Sequence, residues 1–192
     1  MDFFHLCAKI FGRSKKRGAN TENRSVVARA AYRAREKLYD HRTGEWFDYT
    51  HKRGLLHEEI LLPDHAPRNF ADRAIIWNAV GHAEKQKNAQ TAREVELGLP
   101  KELPRQVQID LAREYAQYFV DQGMCADLCI HKKGAKNYHA HIMLTMRPLN
   151  EDGTWGQKTR KEYILNNRGQ RIKNDKGKWR KINWINGSHC LP

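Results

Sequence analysis

Residues 125–146 constrain this chain more than any other stretch. They read Cys-Ala-Asp-Leu-Cys-Ile-His131-Lys-Lys-Gly-Ala-Lys-Asn-Tyr-His139-Ala-His141-Ile-Met-Leu-Thr-Met. Ala126, Leu128 and Ile130 alternate with other residues, and so do Ala140, Ile142 and Leu144. A period of two is that of a β-strand, whose successive side chains point to opposite faces. Gly134 and Asn137 suit a turn between the two runs. The stretch therefore predicts a hairpin with strands near 125–131 and 138–146. One face is aliphatic, and the other gathers His131, His139 and His141. Residues 93–99 repeat the pattern, with Val95, Leu97 and Leu99 on one side and Glu94, Glu96 and Gly98 on the other. Strands with one apolar face belong to an antiparallel sheet packed on helices. The expected class is α+β, a two-layer sandwich with a central antiparallel sheet, helices on one face and the histidine face open.

Other elements follow from shorter signals. Residues 3–10 alternate as a strand, with His5 and Cys7 on one side. Ser25 caps a helix expected to run to Leu38, with Tyr32 on it. Residues 46–49 and 57–62 look extended. Residues 70–83 are expected to be helical, with Ala71, Ala74, Ile75 and Asn78 as a stripe. Pro104 opens a further helix, striped by Val107, Leu111, Tyr115 and Tyr118 or Phe119, that ends at Gly123. The main unit is expected over residues 1–150. Residues 151–192 form a basic extension of the same domain, with a hairpin at 171–180 around a Lys-Gly turn.

Three convergent imidazoles can hold a divalent cation and leave its remaining positions open to water or substrate. A catalytic metal needs such openings. Cys125 and Cys129 lie close by, so a Cys/His zinc site is a rival, though no Cys-x-x-Cys occurs. Cys129 also reads as a small half-buried neighbour. Glu94 or Glu96, and His5, are candidates to join the histidines on the open face. The bland reading of both glutamates is a solvated strand face.

Charge narrows the partners. The 192 residues hold 35 Lys and Arg against 22 Asp and Glu, a net charge of +13. Such an excess favours polyanions. No strongly amphipathic basic helix points to a membrane surface, and no apolar run reaches spanning length. The four cysteines form no recognisable disulfide framework, which fits a reduced, cytoplasmic setting. The start lacks the pattern of a signal peptide. In the extension, Arg171, Lys173, Lys178, Trp179 and Arg180 are candidate DNA contacts, as is Arg33 beside Tyr32. A solvated, mobile extension is the plainer reading of such a charge run.

Taken in order, four segments resemble the MobA/MobL-type (MobQ) plasmid relaxases of the His-hydrophobic-His endonuclease superfamily. Phe4-His5-Leu6 is similar to that family's first strand. Arg24-Ser-Val-Val-Ala-Arg-Ala-Ala-Tyr32-Arg33 resembles its tyrosine helix. Ala92-Arg-Glu94-Val-Glu96-Leu-Gly-Leu-Pro100 resembles its acidic strand, and His131 with Asn137-Tyr-His139-Ala-His141 its metal hairpin. The resemblance spans roughly residues 3–147 and implies site- and strand-specific nicking at a plasmid origin of transfer. On it, Tyr32 matches the nucleophile, Glu94 the catalytic carboxylate, and His131, His139 and His141 the metal ligands. It implies a divalent ion, with Mg or Mn ahead of Zn, Ni or Co. It further implies a single-stranded and hairpin DNA substrate, with accessory mobilisation and coupling proteins as partners.

Two rivals share parts of this pattern. A rolling-circle replication initiator or single-tyrosine transposase uses the same chemistry, but its nucleophile generally lies downstream of the histidine pair. A non-enzymatic DNA-binding domain with a structural metal needs no nucleophile at all.

Overall fold

The computed structural model describes residues 6–13, 25–134 and 137–185, without the side chains of 133, 160–162 and 181–185. His5 and Phe4 lie outside the described residues. Five strands form the central sheet: β1 (Leu6–Gly12), β4 (Leu55–Leu61), β5 (Gln90–Leu99), β6 (Ala126–Lys133) and β7 (Asn137–Thr145). Their order is β1-β5-β7-β6-β4, and every neighbouring pair is antiparallel. A small hairpin of β2 (Lys37–Asp40) and β3 (Glu45–Asp48) sits apart. Three helices, α1 (Val26–Ala34), α2 (Arg73–Ala83) and α3 (Arg105–Val120), pack on the central sheet. The α+β class and its antiparallel sheet match the alternation in the sequence.

The helices, however, divide between the two faces. Val95, Leu97, Leu128, Ile130, Ala140 and Ile142 share a core with Ile109, Ala112, Ala116 and Phe119 of α3. Residues of the opposite parity, Ala92, Cys125 and Met143, share a second core with α1 and α2, including Val27, Ala31, Ile76 and Trp77. The expectation of helices on one face and an open histidine face is therefore corrected. α1 and α2 cover much of the histidine face. A buried network fastens α2 there. Arg73 donates from Nε and Nη2 to the two carboxylate oxygens of Asp127, at 2.9 and 3.1 Å, and Trp77 Nε1 donates to Asp127 at 2.8 Å. Asp127 shares its strand parity with His131, and one buried charge is paired and hydrogen-bonded as such burial demands.

Several boundaries also move. α1 ends at Ala34, not Leu38, because Arg35 takes a left-handed conformation at φ 60° and its N–H closes the helix on Ala31 O. That conformation terminates a helix, and it frees residues 37–40 to pair as β2. Ser25 caps α1 as expected, its Oγ accepting from Ala28 N at 2.9 Å. In α2 the buried stripe is Arg73, Ile76, Trp77, Val80 and Gly81, while Ile75 is exposed. In α3 it is Gln108, Ile109, Ala112, Ala116, Phe119 and Val120, with Val107 and Tyr118 outside. The expected α2 stripe is thus rotated off the packed face, whereas in α3 Leu111, Tyr115 and Phe119 do pack on the core and only Val107 and Tyr118 fall outside it. In α3 the closest approach to the sheet is made by Ala112 and Ala116, both fully buried.

Beyond β7 the chain stays tied to the core for some way. Trp155 stacks on Phe70 with ring centroids 5.7 Å apart, and Lys158 pairs with the buried Glu84 at 2.6 Å. After it, β8 (Thr159–Tyr163) and β9 (Lys181–Ile185) form a two-stranded ladder, prolonged by bridges Leu165–Arg171 and Lys173–Trp179. The Lys-Gly turn lies at the tip, where Gly177 has φ 72°. No helix among the described residues is long and apolar enough to cross a membrane.

Candidate active site

The hairpin register places His131 directly opposite His139, and Cys129 opposite His141. The three imidazoles therefore meet on one side of β6 and β7. One nitrogen from each lies within 4.8 Å of the others. His131 and His141 are buried and His139 is half-buried.

Two of the rings are held in a defined tautomer. His131 Nε2 lies 2.6 Å from the carbonyl oxygen of Arg33. A carbonyl can only accept, so Nε2 bears the hydrogen and Nδ1 keeps its lone pair. His141 Nδ1 lies 3.0 Å from Glu94 Oε1, and a carboxylate likewise takes the hydrogen there and leaves Nε2 free. A carboxylate or carbonyl behind an imidazole is the usual support of a metal-binding histidine. His139 Nδ1 is buried and has no hydrogen-bond partner among the described residues.

Proton affinities agree with that use. Burial pushes His131 down to about 4, against the bond to Arg33, with His141, Arg35 and His139 adding to the fall. Burial and His141 also lower His139. Neutral imidazoles are what a cation requires. The residues present therefore fit a divalent ion held by three nitrogens. The cysteines do not join them. Burial raises the Cys129 thiol well above its ordinary value and Cys125 to about 12, and the candidate ligand cluster among the described residues contains histidines alone.

Glu94 is wholly buried, with both oxygens in use. Arg33 grips them through Nε on Oε1 and Nη2 on Oε2, the latter at 3.0 Å. Burial alone would raise this carboxyl, but hydrogen bonds from His141 and Arg33 outweigh it and hold it at about 2. Arg33 thus touches the histidine site twice, by its carbonyl on His131 and by its guanidinium through Glu94 on His141. Its guanidinium is engaged with Glu94 inside the protein. Glu96 lies across the ladder from His141 and pairs with Lys9 at 3.1 Å.

Tyr32 precedes Arg33 on the last turn of α1 and is half-buried. The Tyr49 ring meets it edge-on at 5.2 Å. Three cations surround its ring: Arg35 at 4.6 Å from the centroid, and Arg33 and Lys52 at 5.2 Å. The tyrosine helix and the histidine hairpin, nearly a hundred residues apart in sequence, are hydrogen-bonded to each other at Arg33.

The candidate DNA-contacting residues of the extension lie elsewhere, on its ladder. Arg171, Lys173, Lys178, Trp179 and Arg180 are all exposed. Arg171 lies 4.0 Å over the Tyr163 ring and Lys173 4.9 Å over Trp179. An exposed strip of cations and aromatic faces can meet phosphates and unpaired bases together.

Sequence reasoning missed the structural part of Arg33 and the whole loop from Tyr49 to Gly54. Only the run of His51, Lys52 and Arg53 ahead of Gly54 marked that loop.

The model of the MobA/MobL family matches residues 24–191. The conjugal transfer protein TraA of Rhizobium radiobacter is 36% identical over 189 residues, covering 93% of this chain and 16% of TraA. The mobilization protein MobL of Acidithiobacillus ferridurans is 36% identical over 184 residues, covering 82% of this chain and 46% of MobL. This chain thus spans less than half of either relative. A solved structure described as "Molecular Basis of Vancomycin Resistance Transfer in Staphylococcus aureus" superposes with a TM-score of 0.74 at 33% identity. That match covers 83% of this chain and 78% of the other.

Proposed function

The chain belongs to the MobA/MobL family of relaxases, and on that premise we propose that it carries a DNA-nicking centre of conjugative mobilisation in which Tyr32 is the nucleophile. Its substrate is the single strand and adjoining hairpin at a plasmid origin of transfer. The Tyr32 oxygen bonds to the scissile phosphorus, and the bond from phosphorus to the 3′-oxygen breaks. The phenolic proton is lost and the leaving 3′-oxygen gains one, so a 5′-phosphotyrosine and a free 3′-hydroxyl result. The phosphodiester's energy is conserved in the new ester, and the reverse reaction rejoins the strand without ATP.

The observation that carries this reading is the double contact of Arg33. The residue after Tyr32 accepts a hydrogen bond from His131 and grips the carboxylate that holds His141. The tyrosine helix is fixed to two of three candidate ligands. A divalent ion held by His131, His139 and His141 would polarise the scissile phosphate and offset its charge.

Glu94 acts through His141 in this scheme. A carboxyl held at about 2 is a weak base, far from the value suited to proton removal at neutral pH. It is a positioning residue that fixes the His141 tautomer and neutralises Arg33. The exposed cations and Trp179 of the extension supply contacts along the strand. Position also favours a mobilisation relaxase over a rolling-circle initiator, since Tyr32 lies upstream of the histidine pair. The test is incubation with a labelled single strand containing the origin, with Mg²⁺ or Mn²⁺. A protein–DNA adduct that survives denaturation supports the proposal, and a structural metal domain gives none.

A further inference from the structure

We propose that Lys52, presented by the loop between β3 and β4, binds the scissile phosphodiester beside Tyr32. This rests on Tyr32 being the nucleophile. The loop is fixed at both ends to the elements that build the site. At its start, Tyr49 N donates to Glu36 O at 3.1 Å, and its ring meets that of Tyr32. At its end, Gly54 O accepts from Lys132 N at 2.8 Å, and Leu55 pairs with His131. Gly54 has φ 93°, and a Cβ there would lie 2.7 Å from Lys132 O. Only glycine lets the chain come so close to the strand of His131.

Between these anchors the loop turns on itself. Lys52 N donates to Tyr49 O at 2.9 Å, and Thr50 donates from N and Oγ1 to Asp48 Oδ1 at 3.1 and 2.7 Å. The turn brings the Lys52 ammonium to 5.2 Å from the Tyr32 ring centroid. Lys52 is half-buried, and no carboxylate among the described residues pairs with it. A second cation shares the place. Arg35 lies 4.6 Å from the same ring, and its buried Nε lacks a hydrogen-bond partner among the described residues. A cation on a pinned loop, over the ring of the tyrosine whose oxygen must approach phosphorus, suits an anion of the substrate. Lys52 contributes a fixed positive charge to the non-bridging oxygens. There it offsets the charge that builds up as the phosphoryl group is transferred.

The test uses oligonucleotides from the origin of transfer in which one phosphodiester at a time, scanned along the strand, is replaced by a neutral methylphosphonate. Binding is measured in a Tyr32→Phe background, where no cleavage intervenes. With Lys52 present, the neutral linkage at the nick weakens binding about tenfold or more, the size of one charge-assisted hydrogen bond. With Lys52→Met, which keeps the stem and removes the charge, that penalty shrinks severalfold while linkages elsewhere keep theirs. Lys52→Arg restores it. In the active protein Lys52→Met slows adduct formation about 100-fold, with unchanged thermal melting. An equal penalty at the nick with and without Lys52 overturns the proposal. If the active protein gives no adduct on any strand, the nicking reading fails, and the linkage scan still decides whether Lys52 holds a phosphate.

Discussion

Glu94→Gln tests how tightly the tyrosine helix and the histidine hairpin are coupled. Glu94 has no exposure, and the Arg33 side chain only 17%. Their second contact, Arg33 Nη2 to Glu94 Oε2, is 3.0 Å. At an effective dielectric constant near 20, unit charges so placed attract by about 5 kcal/mol. Desolvation offsets much of that gain in the intact pair, but removing one partner strands the other charge. The expected loss of stability for Glu94→Gln is about 3 kcal/mol or more. Arg33→Met should cost a similar amount by stranding the carboxylate. The double variant Arg33→Met/Glu94→Gln strands neither and should lose clearly less than the sum. Urea denaturation at pH 7, in metal-free protein, measures all four corners of the cycle. A coupling of about 2 kcal/mol or more is expected, and additivity within about 0.5 kcal/mol would refute the argument. Calorimetry on the same proteins adds a readout that plain destabilisation does not move. With the His141 tautomer no longer fixed, metal affinity should fall about 10–100-fold in Glu94→Gln.

Other expectations follow from the same geometry. His131→Ala, His139→Ala and His141→Ala should each abolish or strongly weaken divalent-ion binding in calorimetry, and unchanged affinity in all three would remove the site. Because burial lowers His131 to about 4, below an unfolded value near 6.5, the native state binds fewer protons between those pH values than the unfolded chain does. Metal-free stability should therefore be full above pH 6.5 and decline by about 3 kcal/mol by pH 4, measured by urea titration, and a flat profile would contradict the burial of that ring. Single-strand affinity should fall with salt at about −0.7 in log–log slope per phosphate neutralised, and charge-removing substitutions at Arg171, Lys173, Lys178 and Arg180 should flatten that slope. An identical slope would make the extension a bystander.

What could be read from the sequence was whatever depended on a period of two. His139 and His141 are two apart on a strand, and a turn returns His131 to them, so the cluster follows from parity alone. The faces of residues 94–99 followed in the same way. Helix faces were less legible. α3 buries Ala112 and Ala116, small residues that let a helix approach a sheet closely, while the larger Val107 and Tyr118 stay outside. The end of α1 turned on Arg35 adopting a left-handed conformation, which arginine's own preferences disfavour. Burial on both faces of the sheet could not be read either, because Asp127 looks like a solvent-facing residue until Arg73 and Trp77 arrive from α2. The role of Arg33 lay equally beyond the sequence, since its partners come from β5 and β6.

Peptide mapping of the covalent adduct tests the central assignment most directly. Protein is incubated with an origin-containing single strand and Mn²⁺ or Mg²⁺, the adduct is digested, and the residue carrying the nucleotide is read by mass spectrometry. The expected result is a 5′-linked nucleotide on Tyr32, and its complete loss in a folded, DNA-binding Tyr32→Phe protein. Attachment to Tyr39, Tyr49 or Tyr138, or an undiminished adduct in Tyr32→Phe, would contradict it.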